Sequence, residues 1–277
     1  MNDHPSVSVI IPTYNRAEFL REAIDSVLMQ SMRDFELIIV DDGSVDSISD
    51  VVNSFNDSRL AYVRQVRGGV SSARNLGVLK SSARLIAFLD SDDTWLPEKL
   101  STQVDCFLSH PDVAICQTEE IWIRSGRRVN PMNKHKKYSG WIFEKCLPLC
   151  IISPSAVMMK RDVFDELGGF DESLPACEDY DLWLRATLRY PITTLANPLT
   201  VKRGGHADQL SSEWGLDRYR IKALIKILSD PHLADEYRNL VREQIVRRSK
   251  VVADGAVKRG NVEMYEEYCA LSNAHRP

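Results

Sequence analysis

The 277 residues predict an α/β fold, a mainly parallel sheet flanked by helices, followed by a C-terminal helical appendage. Three observations predict it. Short β-branched apolar runs alternate with segments whose apolar residues recur at helical spacing through residues 7–89. The apolar runs are continuous rather than alternating, as suits strands buried on both faces. From residue 211 onward only helical periodicity remains.

Residues 7–11 form the first β-branched run, closed by Pro12. In residues 17–30, Phe19, Leu20, Ala23, Ile24, Val27 and Leu28 fall on one helical stripe. Residues 35–40 are a second apolar run, stopped by Asp41-Asp42-Gly43-Ser44, which favour turns and helix starts. Helix is then expected over 48–55, strand over 60–66, helix over 70–80 and strand over 85–89. This βαβαβαβ order predicts a mainly parallel sheet between helices. Beyond Trp95 the alternation fades into a helix over 97–109, a strand over 113–124, and a polar, basic stretch reaching Gly140. In the tail, Ile221, Leu224, Ile225 and Leu228, then Tyr237, Leu240, Val241 and Ile245, keep helical spacing.

Composition narrows the classes. At 44% hydrophobic and 27% charged residues, the chain has the make-up of a packed globular protein. A formal charge of -4 argues against a general nucleic-acid binder. The charge is uneven, because residues 201–277 carry 14 Lys and Arg against 11 Asp and Glu. Six cysteines, at 106, 116, 146, 150, 177 and 269, form no CxxC pair and read as reduced, mostly buried thiols. Neither a secretory signal nor a membrane span is visible, so the expected location is cytoplasmic. Arg218, Arg220, Lys222 and Lys226 lie near one amphipathic stretch, which suits either a solvated face or a peripheral contact with the inner membrane surface or another subunit.

In open parallel sheets ligands bind beyond the carboxyl ends of the strands. Three strand ends here carry Pro12-Thr13-Tyr14, Asp41-Asp42 and Asp90-Ser91-Asp92. Two carboxylates spaced as in Asp90 and Asp92 can approach one hard divalent cation. A solvated turn or a helix cap explains the same three residues taken alone.

The wider set is more specific. It comprises residues 9–16 (VIIPTYNR), 40–44 (VDDGS), 68–75 (GGVSSARN) and 88–93 (FLDSDD), in that order. Together they resemble family 2 glycosyltransferases of the GT-A fold, over about residues 6–210. The resemblance implies a nucleoside pocket lined by Pro12, Thr13 and Tyr14, with Asp41 accepting a hydrogen bond from the base and Arg74 beside it. It implies Asp90, with Ser91, on the ribose or sugar, and Asp92 as the principal ligand of Mn2+ or Mg2+. Packing offers a competing account of Tyr14, and helix capping one of Asp41. Gly68-Gly69 is not a P-loop, and no GxGxxG follows the first strand.

Residues 168–172 (GGFDE) and 178–185 (EDYDLWLR) resemble the family's acceptor-side segment. By that resemblance Asp179 is the general base and Glu178 contacts the acceptor or sugar hydroxyls. Asp181 reads as a structural acid at a helix start. Trp95 reads equally as a packing anchor and a sugar platform. His206, after Arg203-Gly204-Gly205, matches a position where related enzymes often carry a histidine near the metal or diphosphate.

The resemblance therefore implies inverting transfer of a sugar from a nucleoside diphosphate, with UDP in first place, to a carbohydrate or glycolipid hydroxyl in polysaccharide, lipopolysaccharide or other glycoconjugate assembly. Nucleotidyl transfer and a catalytically silent nucleotide-sugar-binding protein are the alternatives. The expected organisation is a transferase domain over 1–210, divided into a nucleotide half (1–95) and an acceptor half (96–210), then a helical extension over 211–277.

Overall fold

The computed structural model describes residues 4–205 and 215–276. The first half follows the apolar rhythm: β1 (Val7–Thr13), α1 (Ala17–Leu28), β2 (Phe35–Asp41), α2 (Ile48–Asn53), β3 (Leu60–Arg64), α3 (Val70–Leu79) and β4 (Leu85–Phe88). These four strands pair in parallel, in the order β3-β2-β1-β4. Beyond β4 come β5 (Thr94–Trp95), α4 (Lys99–Ser109), β6 (Ile115–Arg124), β7 (Arg127–Val129), α5 (Phe143–Cys146), β8 (Val157–Lys160), α6 (Arg161–Glu166), α7 (Glu178–Arg189) and β9 (Ile192–Gly204). They extend the sheet as β8-β6-β9-β5, with β7 paired to β6. The sheet is thus parallel in its first four strands and mixed afterwards, since β8 runs antiparallel to both neighbours while β6 and β9 are parallel.

Alternation along β1 divides the interior. Ile10 faces one apolar layer with Ile38, Phe88, Phe164 and Trp183, while Val9 and Ile11 face the other with Leu20, Ile24 and Leu100. Both faces of the strand are therefore dry, which explains why Val9, Ile10 and Ile11 are apolar in succession. The helix α3 lies close on the sheet because residue 77 is glycine. A Cβ there would run into the Ile10 side chain and come within 3.2 Å of Val40 Cγ2.

The tail folds as α8 (Leu216–Leu228), α9 (Asp235–Val257) and α10 (Val262–Ala274). Ile221, Leu224, Val241 and Ile245 are buried in the same layer as Tyr180 and Trp183. Arg248 of α9 reaches back to Pro148 O (2.8 Å) and Leu147 O (3.3 Å), and Tyr180 Oη donates to the same Leu147 carbonyl at 2.6 Å. On α8, Arg220 is paired with Asp217 (3.1 Å), and Lys226 with Asp171 and Asp181. Internal acids thus occupy two of the four basic residues singled out in the tail. No helix among the described residues is long and apolar enough to cross a membrane.

Candidate active site

Parallel register sets the ends of β1 and β2 side by side, with Thr13 opposite Asp41. The loops beyond them are cross-braced. Asn15 adopts a positive φ of 51°, a region asparagine tolerates better than most residues. Its side-chain oxygen accepts from Val45 N–H (2.8 Å), and its own N–H donates to Ser44 Oγ (2.9 Å). Tyr14 is half-buried, with the Arg67 guanidinium 4.1 Å from its ring centre. Pro12 and Thr13 are buried at the strand end.

Asp41 is buried and accepts from Ser44 N–H (2.8 Å) and Tyr62 Oη (2.7 Å), with Arg64 at 3.7 Å. Burial pushes its carboxyl up, but these donors and the Arg64 charge outweigh burial and hold it below the ordinary range. Asp42 has a separate task. It accepts from Gly68 N–H (2.7 Å), Gly69 N–H (2.9 Å) and Gln65 Nε2 (2.7 Å), and so fixes the turn that starts α3. Gly69, at φ 90°, occupies a backbone region that few other residues enter.

After β4 the chain turns, with Asp93 N–H donating to Asp90 O at 2.9 Å. Ser155 Oγ accepts from Asp90 N–H (3.1 Å), and Ser91 is buried. Arg74, nearly inaccessible on α3, donates to Asp90 Oδ1 and to Glu178 Oε1, each at 2.6 Å. Asp92 is paired with Arg16 at 3.0 Å. Burial opposes ionisation of Asp90, yet Arg74, Lys202 and Arg16 keep its carboxyl below the ordinary value. Asp93 goes the other way, to about 8, because burial and the negative charges of Asp92 and Asp90 outweigh Lys202.

Helix α7 brings Glu178 and Asp179 to this edge. It begins after Cys177, whose φ is 61°. Burial, opposed by Arg74 and reinforced by Asp179, raises Glu178 to about 7. Asp179 is half-buried, accepts from its neighbour Tyr180 N–H (2.7 Å), and receives the Cys150 thiol at 3.4 Å. Asp181 is fully buried and paired with Arg185 (2.7 Å) and Lys226 (2.8 Å). Trp95 is buried, donates to Ser155 O (2.8 Å), and lies under Lys99 Nζ at 4.2 Å, the arrangement of a packing anchor. His206 lies outside the described residues.

Lys202 of β9 was not singled out by the sequence. It donates to Ser153 Oγ (3.1 Å), and its charge acts on Glu120, Asp93, Asp90 and Asp179 together, which raises its own pKa despite burial. Strand alternation gave no hint of this. Arg16 did leave a signal, because a cation opening a helix opposes the helix dipole and implies a partner elsewhere.

Among the described residues no three His, Cys, Asp or Glu side chains form a closed metal cage. An ion carried on a diphosphate needs less. Mg2+-like ions use one or two carboxylates, with phosphate oxygens and water completing the shell. Asp92, with Asp90 two residues earlier, supplies a donor set of that kind.

Residues 8–168 match the model of the family described as Glycosyl transferase family 2. An uncharacterized glycosyltransferase of Rickettsia felis is 31% identical over 236 residues, 82% of this chain and 38% of that protein. The Escherichia coli UDP-Glc:alpha-D-GlcNAc-diphosphoundecaprenol beta-1,3-glucosyltransferase WfgD is 34% identical over 179 residues, 64% of this chain and 68% of that one. The chain spans only 27% to 58% of the length of five Rickettsia relatives. In fold, it is similar to S. aureus TarS 1-349 in complex with UDP-GlcNAc (TM-score 0.70, 16% identity, 98% of this chain and 92% of that). It is also similar to the mannosyltransferase PcManGT from Pyrobaculum calidifontis in complex with GDP-Man and Mn2+ (TM-score 0.66, 17% identity, 99% and 85%). With its four ordered motifs on one sheet edge and a family match across more than half its length, the chain belongs to glycosyltransferase family 2.

Proposed function

We propose that the chain is an inverting, divalent-metal-dependent glycosyltransferase that moves a sugar from a UDP-sugar to an acceptor hydroxyl during polysaccharide or lipid-linked glycan assembly. The observation that carries this reading is the Arg74 bridge between Asp90, at the donor-side strand end, and Glu178, beside Asp179. One buried cation thereby ties the nucleotide edge to the acid pair of α7. In this reading residues 1–210 form the transferase domain and 211–277 the helical extension.

Tyr14 and Asp41 contact the nucleoside, the first through its ring and the second through a carboxylate oxygen. Arg74 keeps Asp90 ionised and oriented toward the ribose or sugar. The acceptor oxygen attacks the anomeric carbon, the bond to the diphosphate breaks on the opposite face, and Asp179 takes the hydroxyl proton. Glu178, held by Arg74, contacts acceptor or sugar hydroxyls. Asp92, with help from His206, would hold a Mn2+ or Mg2+ ion whose charge stabilises the departing diphosphate. The acceptor named for WfgD, a sugar on diphosphoundecaprenol, makes a lipid-linked saccharide the acceptor class to try first.

The test is a panel of nucleotide sugars with Mn2+ or Mg2+, reading nucleoside diphosphate release and the product's anomeric configuration by NMR. Inverted product with diphosphate release is expected. Retained configuration, or transfer of a nucleotidyl group, overturns the reading.

A further inference from the structure

The acceptor edge of the molecule opens onto a groove of about 640 Å3 between the segment preceding Cys150 and helix α9. Leu149 and Ile151 line it. Cys150, between them, sends its thiol to Asp179. One short stretch of chain therefore lines the groove on either side of a residue whose thiol reaches the acid assigned as the base. Whatever occupies the groove lies within one residue's reach of that acid.

The groove is also cationic. Lys134, Lys145 and Arg247 line it against a single acid, Glu144. All three cations are exposed, and none is ion-paired among the described residues. In this they differ from Arg220 and Lys226 on α8, whose charges are used internally. The bias begins upstream, because residues 121–143 contain six Lys and Arg and no Asp or Glu. The same segment exposes two large apolar side chains, Met132 at 59% and Trp141 at 66%. Basic side chains lining a concavity, with an exposed amphipathic aromatic in the adjoining chain segment, suit a ligand that is anionic at one point and greasy beyond it.

We infer that this groove binds the diphosphate of a prenyl-diphosphate-linked acceptor, with Lys134, Lys145 and Arg247 on the phosphates and Met132 and Trp141 toward the lipid. The inference rests on the transferase reading above and adds the place and charge of the acceptor's anchor. A flat bilayer of anionic phospholipid satisfies the charge but not the concavity. A diphosphate on a flexible prenyl chain satisfies both, and carries its sugar toward Asp179.

The test uses the full chain and phosphatidylcholine vesicles doped either with a prenyl diphosphate or with phosphatidylglycerol at the same surface charge. The comparison protein is the triple variant Lys134→Glu, Lys145→Glu, Arg247→Glu. These side chains are exposed, so an unchanged melting temperature is expected and is checked first. Cosedimentation should show binding to the prenyl diphosphate vesicles about tenfold or more tighter than to the phosphatidylglycerol vesicles, with the variant losing that margin. Equal binding to both vesicles, or a variant that binds the prenyl diphosphate as well as the parent, overturns the inference. Nucleotide-sugar binding, followed by thermal shift in the same samples, separates the two failures. Its absence sinks the transferase reading, while its retention without selective vesicle binding sinks only the groove.

Discussion

Arg74 and Glu178, 104 positions apart in the chain, are joined by a 2.6 Å ion pair where α3 meets the start of α7. The same guanidinium holds Asp90 at 2.6 Å. Removing it takes the shared cation from two acids, Glu178 buried and Asp90 partly so.

Arg74→Met is therefore expected to destabilise the protein by about 3–5 kcal/mol, as for one lost partner of a buried ion pair. Glu178→Gln, which leaves Asp90 to balance the arginine, should cost less. Urea denaturation of both variants checks the order. A fully stable Arg74→Met would show that the bridge contributes little.

Asp179 and Asp92 should separate chemistry from donor handling. Asp179→Asn is expected to lower turnover about a hundredfold or more while nucleotide binding survives. Asp92→Ala should lower turnover by a similar factor and also weaken the response to added Mn2+. Normal turnover in Asp179→Asn would remove it from the proton-transfer role.

Lys99 gives a stability signature with a definite sign. Fully buried against Trp95 and hydrogen-bonded to Gln103, its ammonium is disfavoured by desolvation, and its pKa falls from 10.5 to about 7. Between those values the unfolded chain holds a proton that the folded chain has released, so stability rises with pH across that window. The penalty is fully present below pH 7. Relative to Lys99→Met, the parent should gain on the order of 1 kcal/mol per pH unit between about pH 7 and 10. A difference that stays flat with pH would show that Lys99 titrates normally in the fold.

Much of this arrangement was legible in the sequence where it rests on local pattern. The apolar runs gave β1, β2 and β4, and the turn-forming acids marked where β2 and β4 stop. The second half was less legible for reasons of topology. Strand β8 inserts between β4 and β6, a pairing of distant segments that no periodicity records. Strand β9 contains Pro198, which argues against a continuous strand, and the register with β6 shifts beside it, between Thr118 and Glu120. Lys202 reaches the acid cluster only because of that long pairing. Among site residues, Asp41 was expected to read a base. What the structure shows is that it is stitched to Ser44 and Tyr62 and so organises its loop.

Cys150 offers a chemical check on the same region. Burial, with the charge of Asp179 beside it, raises its thiol well above the ordinary range. Since the thiolate is the reactive form, alkylation by iodoacetamide at mildly alkaline pH should spare Cys150 in the folded protein. Peptide mapping by mass spectrometry would show this, and rapid labelling there would contradict the thiol contact with Asp179.

The reach of Arg248 onto the Leu147 and Pro148 carbonyls bears on how the chain can be shortened. A version trimmed near residue 211 would keep every motif of the family yet lose the guanidinium that holds the backbone just before Cys150. The family signature thus ends well before the chain stops supporting the acid on which turnover is proposed to depend. For this protein, a minimal functional unit has to be sought by retaining α9, whatever the motif boundaries suggest.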